Sequence, residues 1–436
     1  MHDDEQAQRK GEGWPMRAIT GDYRASRTMA PLANASEYVV EGMLPTTGAS
    51  VWFGEGSVGK TQLLMWLAAH LASETSTGPA EWLGRPIRRR GQILVVSAED
   101  LVEHLAARLD TILEGLLADH PGLDAAAVRD RIHLLSFLSL SDEEFRGSNP
   151  SLFRRRKPRG WRPSKTLRRI EAFVSDWNAT HPADPIIGVI VDSAVSLSGF
   201  DLGNAEATTN FLFHLNRESR RQNVFWAIIG HVVKAGRTDA GDPEAGAVSR
   251  LRGSAMWSTT PRTVVEVRFP MAGEDADALK AIEPRPDRRE MIYVTVVKAN
   301  NRGADFSRRV LRRRDERYFD VTEAFQRAVR AQPTDEERIL AVAAVIRRLA
   351  AARPDASIGR PELTEAVKTA GRSVPALAGL NLVGTARSPN ARSLAGILAA
   401  LKDRGEIGYT TSGPITLLIV EDEPGDAKPE PGPGKP

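Results

Sequence analysis

The sequence predicts an α/β fold with a mainly parallel central sheet, followed by a smaller helix-rich unit. Three observations carry this. Seven short apolar runs, separated by helical segments, lie in the first two thirds of the 436 residues. A glycine-spaced loop, Gly54-Glu55-Gly56-Ser57-Val58-Gly59-Lys60-Thr61, joins the first run to a helix. After a polar break at 330–337 the pattern changes to three helices and a hairpin.

The runs are SVWF (50–53), QILVVS (92–97), IHLLSF (132–137), IIGVIVD (186–192), VFWAIIG (224–230), TVVEV (263–267) and MIYVTVV (291–297). Several are apolar on both faces, as strands buried between helices are. Beyond the break, 337–352 has helical periodicity and 360–370 is a second helix with Pro361 in its first turn. A third helix spans 388–405, with Ser388 as cap, Pro389 in the first turn and Gly405 at the end. Residues 406–420 then read as two strands around a Ser-Gly-Pro turn. Three helices and a hairpin is the winged-helix order, in which the third helix faces a DNA groove. The expected domains are a flexible arm at 1–36, a nucleotide-binding domain at 37–329, a winged-helix-like domain at 334–420 and a disordered Pro/Gly/acid-rich tail at 421–436.

Composition narrows the function. The chain is 41% hydrophobic and 26% charged, which fits a globular protein. It has no cysteine, so disulfides and thiolate metal sites are excluded. Its eight histidines lack metal-ligand spacing. No apolar stretch reaches the roughly 18–20 residues of a membrane helix, and the polar N-terminus lacks a signal-peptide core. A cytoplasmic location without membrane contact is expected. Net charge is only +3, but the basic residues cluster: 146–169 holds ten of them and no acid, with Phe153 and Trp161 interleaved. That insertion reads as a phosphate-tracking arm with an aromatic to stack on a base, or as a solvated loop.

The glycine-spaced loop matches GxxxxGK[ST] in full, between a strand and a helix. Its glycines let backbone N–H groups converge on phosphate oxygens at a helix N-terminus. Gly54, Gly56, Ser57, Val58, Gly59, Lys60, Thr61 and the adjoining Gln62 are the expected nucleotide contacts. Lys60 reaches the terminal phosphates of ATP, and Thr61 ligates Mg²⁺. The alternative, a glycine-rich helix start without a ligand, does not need this full pattern. Asp192, ending an apolar strand, is the expected partner of Thr61 on Mg²⁺. Glu99, ending QILVVSAE, suits a base that deprotonates the attacking water, although Glu99 and Asp100 suit caps of the next helix equally well. His231 ends another strand at the same sheet edge and suits a sensor of the terminal phosphate, or a structural histidine.

The order GEGSVGKT, SAED, VIVDS, GHVVK, LRGSAMWSTTPRTV, VTVVKANNRG resembles the RecA-like ATPases of the RepA type, the plasmid and phage replicative hexameric helicases, and more distantly the DnaB-type helicases. The resemblance spans Tyr38 to Phe319. It implies a RecA-like P-loop core, with Glu99 as catalytic glutamate, Asp192 as the Walker B acid and His231 coupling phosphate state to a DNA-binding loop at 235–250. Arg252-Gly253-Ser254 then follows that loop. It also implies that Lys298 and Arg302 reach a neighbouring subunit's nucleotide, and it leaves open which of the two acts as the finger. The function implied is an ATP-hydrolysing, ring-forming helicase on single-stranded DNA in the channel, in replication of a plasmid, phage or integrated element. The winged-helix unit lies outside the resemblance. It keeps open a second reading, a DNA-binding regulator that assembles or switches on duplex DNA without unwinding. A small-molecule phosphotransferase is disfavoured by the strand order and the Lys298/Arg302 pair.

Overall fold

The computed structural model describes residues 37–141, 143, 150–157, 160–232, 251, 253–271, 274–287, 289–314, 317–353, 356–382, 393–410 and 413–418. The arm at 1–36, the loop at 235–250, Arg252, the start of the third C-terminal helix with Ser388 and Pro389, and the tail at 421–436 lie outside these residues, as does part of the basic insertion. The chain divides into two compact units, one running to Phe269 and resuming at Ile292–Asp320, the other formed by Pro270–Met291 and the chain from Val321 onward.

The first unit is built on nine strands. In chain order they are β1 (Gly48–Gly54), β2 (Gln92–Ser97), β3 (Ile132–Ser136), β4 (Ile186–Asp192), β5 (Phe225–His231), β6 (Thr263–Arg268), β7 (Met291–Ala299), β8 (Arg309–Arg314) and β9 (Arg317–Asp320). Their order in the sheet is β9-β8-β7-β6-β1-β5-β4-β2-β3. From β6 to β3 every pairing is parallel, and β7 adds to β6 antiparallel. All seven apolar runs are strands of this sheet. The sequence does not predict β8 and β9, because RVLRRR and RYFD bury only Val310, Leu311 and Tyr318 and show no apolar alternation.

The helices that face the sheet are α1 (Lys60–Ala72), α2 (Val102–Asp119), α3 (Lys165–Thr180) and α4 (Ala205–Gln222). Alternate residues of each strand enter two cores. Trp52, Ile93, Val95 and Ile229 pack with α1 and α2 on one face. Val51, Phe53, Leu94, Val96 and Ile228 pack with α3 and α4 on the other. This two-sided burial is why the strands read as continuous apolar runs. The basic insertion folds in part: Phe153–Arg156 and Gly160–Pro163 pair as an antiparallel hairpin, and Ser164 caps α3 by accepting from Leu167 N at 3.1 Å. Phe153 is buried against Phe211 and is not free to stack on a base.

In the second unit Thr334 and Glu337 form a capping box at the start of α5 (Asp335–Ala350). There follow β10 (Ser357–Ile358), α6 (Arg360–Ala370), α7 (Leu394–Asp403), β11 (Ile407–Gly408) and β12 (Ile415–Leu417). The three strands pair antiparallel in the order β10-β12-β11. α7 begins later than the sequence suggests, because Ser393, directly before the apolar run, caps it by accepting from Gly396 N at 3.1 Å. Val342, Ile346, Leu363, Val367, Ile397, Leu401 and Ile415 fill this unit's core.

Phe211 sits where the aromatic cluster of the α4 face meets: its ring lies 5.4 Å from Phe153, 5.6 Å from Phe200 and 6.1 Å from Trp257. Phe211→Ala is expected to lower the unfolding free energy by about 3–5 kcal/mol, read as a shifted midpoint in urea denaturation followed by tryptophan fluorescence.

Candidate nucleotide site

Strand register assembles the site. β5 lies between β1 and β4, and Gly54 pairs with His231 in the β1–β5 ladder. On the other side of β4, Asp192 pairs with Ser97 of β2, two residues before Glu99. The carboxyl ends of four adjacent strands therefore deliver the loop, His231, Asp192 and Glu99 to one edge, where ligands of open α/β sheets collect. A cavity of about 460 Å³ opens there. Gly56, Ser57, Gly59, Lys60, Thr61, Gln62, Glu99, Asp192 and His231 line it, with Ile229, Arg108 and Arg313.

The loop geometry suits an anion. Ser57 and Gly59 both have positive φ, 64° and 92°, turning the backbone around the cavity. Gly59 is the N-cap of α1, and no side chain caps that helix start, so its first N–H groups face the cavity side. Gly54 makes a close approach instead: a Cβ there would run into the carbonyl oxygen of Val267. Val58 does not line the cavity but is buried in the core, anchoring the loop.

Lys60 is buried, and its Nζ donates to the carbonyls of Gly54 at 3.0 Å and Glu55 at 2.7 Å. Burial pulls its pKa from 10.5 down to about 8, against the upward pull of Asp192, Glu99 and Glu55. Asp192 is buried too. Its Oδ2 accepts from Thr61 Oγ1 at 2.7 Å, whereas Oδ1 has no hydrogen-bond partner. Burial pushes its pKa up to about 6, with Glu99 and Asp100 adding to the rise and the Thr61 bond and Lys60 opposing it. An orphaned carboxylate oxygen beside a threonine hydroxyl and a phosphate loop is the hard-oxygen donor set that suits Mg²⁺. These residues fit both ATP and the cation: the loop amides and Lys60 would hold phosphate, and Thr61 with Asp192 would hold Mg²⁺.

Glu99 is exposed at the cavity rim. Its Oε1 accepts from Ser193 Oγ and, at 3.3 Å, from Ser196 Oγ, both directly after β4. Ser97 Oγ accepts from the N–H of Glu99 and of Asp100, 3.2 Å each, and this local turn aims the two carboxylates apart. Neither caps α2, whose N-cap Leu101 makes no side-chain bond. Asp100 instead pairs with Arg108, two turns along α2.

Three residues escape a sequence reading. Arg108 reaches the cavity from α2. Arg313 on β8 lines it too, and its Nη1 donates to Ser57 O at 3.4 Å. Tyr318 on β9 donates its hydroxyl to Gly59 O at 2.9 Å and packs its ring 5.5 Å from Trp66 of α1. The only cue is the run of arginines at 312–314, which carries no motif. Lys298 and Arg302 do not line the cavity. Lys298 Nζ donates to the carbonyls of Thr259 and Pro261, and burial, then Arg262, draws its pKa down to about 8. Arg302 is exposed in the turn after β7, and its carbonyl accepts from Tyr38 Oη at 2.8 Å.

Residues 22–237 match the AAA domain family. No curated protein matches the chain. Among solved structures the chain is similar to one whose title describes an ATPase domain, at 10% identity and a TM-score of 0.41, over 63% of this chain and 84% of that one. The family match and the loop geometry support an ATP-binding P-loop ATPase.

The raised pKa of Asp192 has a definite sign. Above about pH 6 the carboxylate is ionised and open to a cation; below it the proton competes. Mg²⁺-dependent nucleotide affinity should therefore weaken below about pH 6, by up to roughly tenfold per pH unit, and Asp192→Asn should abolish that dependence in fluorescent-nucleotide titrations. At Gly59 a Cβ would lie 2.5 Å from Tyr318 Oη and 2.9 Å from Arg313 Nη1. Gly59→Ala is expected to cost at least about 1 kcal/mol in stability and most of the nucleotide affinity, measured by thermal shift with and without ATP.

Proposed function

We propose that this chain is an ATP-hydrolysing ring motor on single-stranded DNA, a hexameric RecA-like helicase of the RepA type serving replication of a plasmid, phage or integrated element in the cytoplasm. The observation that carries this reading is the convergence of Lys60, Thr61, Glu99, Asp192 and His231 on one cavity at one sheet edge, while Lys298 and Arg302 stand outside it.

In this mechanism the loop amides and Lys60 bind the β- and γ-phosphates and neutralise charge as the bond to the leaving phosphate lengthens. Mg²⁺ supplies further positive charge to the phosphoryl oxygens when bound. Thr61 and Asp192 hold that ion's place. The Glu99 carboxylate takes the proton of the attacking water once it leaves Ser193 and Ser196. His231, paired with Gly54 across the ladder, responds to loss of the terminal phosphate and passes the change along β5 towards the loop at 235–250. Lys298 or Arg302 completes the site of a neighbouring subunit, which makes hydrolysis depend on assembly. Among the described residues no helix is long and apolar enough to cross a membrane.

A second reading rests on the C-terminal unit. Its helices α5, α6 and α7 with the antiparallel β10-β12-β11 sheet support a winged-helix-like domain at 334–420 that presents α7 to duplex DNA. In that version ATP drives assembly or a switch on a duplex site, without unwinding.

ATPase rate measured against protein concentration, with and without single-stranded DNA, separates these. The ring motor predicts a steep rise of rate per chain with concentration and stimulation by single strands. Lys60→Ala should abolish turnover. Glu99→Gln should keep nucleotide affinity and lose about 10²–10⁴ in kcat. Arg302→Ala or Lys298→Ala should lose about 10³ or more. A rate per chain indifferent to concentration, with both latter variants silent, sinks the subunit-bridging site. DNA-stimulated turnover with a footprint on one duplex site and no unwinding favours the regulator.

A further inference from the structure

A second cavity, of about 400 Å³, lies on the α3/α4 face of the first unit, beneath the hairpin made by Phe153–Arg156 and Gly160–Pro163. Trp161 and Arg162 of the hairpin, Arg168 of α3, and Phe213, Arg217 and Arg221 of α4 line it. Two carboxylates also line it, and both are already engaged. Glu171 Oε1 lies 2.6 Å from His214 Nε2. Glu218 is buried between Arg217 at 3.0 Å and Arg221 at 2.6 Å. One carboxylate thus fixes two guanidinium groups at the rim, and the lining keeps a positive surplus. The hairpin extends that charge: Arg154, Arg155, Arg156 and Lys157 are all exposed beside it.

The aromatic groups are placed differently from the charges. Trp161 is half-buried, its ring held 5.6 Å from Phe200, so it presents a rigid surface. Phe213 is 53% exposed, a large apolar side chain set among arginines. A guanidinium fork recognises phosphate oxygens, and an exposed ring recognises the face of a base. An acidic protein surface would use the charges and leave Phe213 idle. A duplex does not enter a cavity of this size, whereas an unpaired nucleotide does.

We propose that this groove binds a segment of single-stranded nucleic acid, its phosphates on Arg162, Arg168 and the hairpin cations and a base against Phe213. The site is distinct from the nucleotide cavity and from the channel loop at 235–250. Only the choice of a single-stranded probe rests on the ring-motor reading; the site itself rests on the groove.

The test is anisotropy of a fluorescein-labelled oligothymidylate with the full chain, without ATP, at several salt concentrations. Three variants are compared: Arg162→Glu with Arg168→Glu, Phe213→Ala, and Arg162→Lys with Arg168→Lys. All three positions are exposed, so circular dichroism and ATP affinity should match the wild type. The charge reversal should raise Kd tenfold or more and reduce the magnitude of the log Kd against log salt slope by roughly 1.4, for two lost phosphate contacts. Phe213→Ala should raise Kd about fivefold or more, and the lysine pair should recover most of the affinity. Thymidine monophosphate should compete only weakly, since it offers one phosphate to a site built for several; equal competition would make the groove a mononucleotide site and overturn the proposal. Equal competition by poly-glutamate would reduce it to unspecific charge, and loss of affinity together with altered sedimentation would make the groove a contact between chains. If the wild type binds and all variants bind equally, the groove fails while the motor reading stands. If the wild type binds no oligonucleotide, both fall.

Discussion

Lys60 and Asp192 are buried at the same sheet edge, and neither is comfortable there. Burial pulls the ammonium down to about 8 and the carboxyl up to about 6, although each charge favours the other. Desolvation outweighs mutual attraction in both. Lys60 donates to two backbone carbonyls of its own loop, and Asp192 leaves one oxygen unpartnered. A polyanion and a divalent cation entering together would relieve both groups at once. Every other part of the first unit serves to hold those two charges in register while water is kept away from them.

The parallel sheet supplies that register. Its two faces are covered by α1 with α2 and by α3 with α4, so strand ends are fixed by packing on both sides. The extension β7–β9 adds a second restraint, since Tyr318 and Arg313 reach back to the carbonyls of Gly59 and Ser57. The phosphate loop is thus clasped from a segment some 260 residues away in sequence, and the close packing at Gly59 makes the glycine a steric requirement as well as a conformational one.

Glu99 and the basic hairpin meet at one short segment. Ser193 and Ser196 hold the Glu99 carboxylate, and the helical turn they begin, Ala194–Leu197, ends against the hairpin: Leu152 N donates to Leu197 O at 2.6 Å and Phe153 N to Ser198 O at 3.0 Å. The carboxylate and the positively charged groove are therefore built on a common piece of backbone.

Much of this was legible in the residues. The loop motif, the apolar runs and the acids that end them follow from local rules: glycines where backbone must surround an anion, β-branched runs where both faces are buried, a polar residue where a strand leaves the core. Those rules located Lys60, Thr61, Asp192, Glu99 and His231. They could not choose between capping and catalysis for Glu99, because that depends on Ser193 and Ser196 arriving from another strand. They missed Arg108, Arg313 and Tyr318, because a cation on a helix face or an arginine-rich edge strand looks the same whether it faces solvent or a cavity. They also left Phe153 as a stacking candidate, whereas packing against Phe211 buries it. Sequence by itself determined which chemistry this chain carries and which segments bear it. Tertiary structure alone decided which of those side chains face one another, since strand order and side-chain packing are set by contacts between residues far apart along the chain.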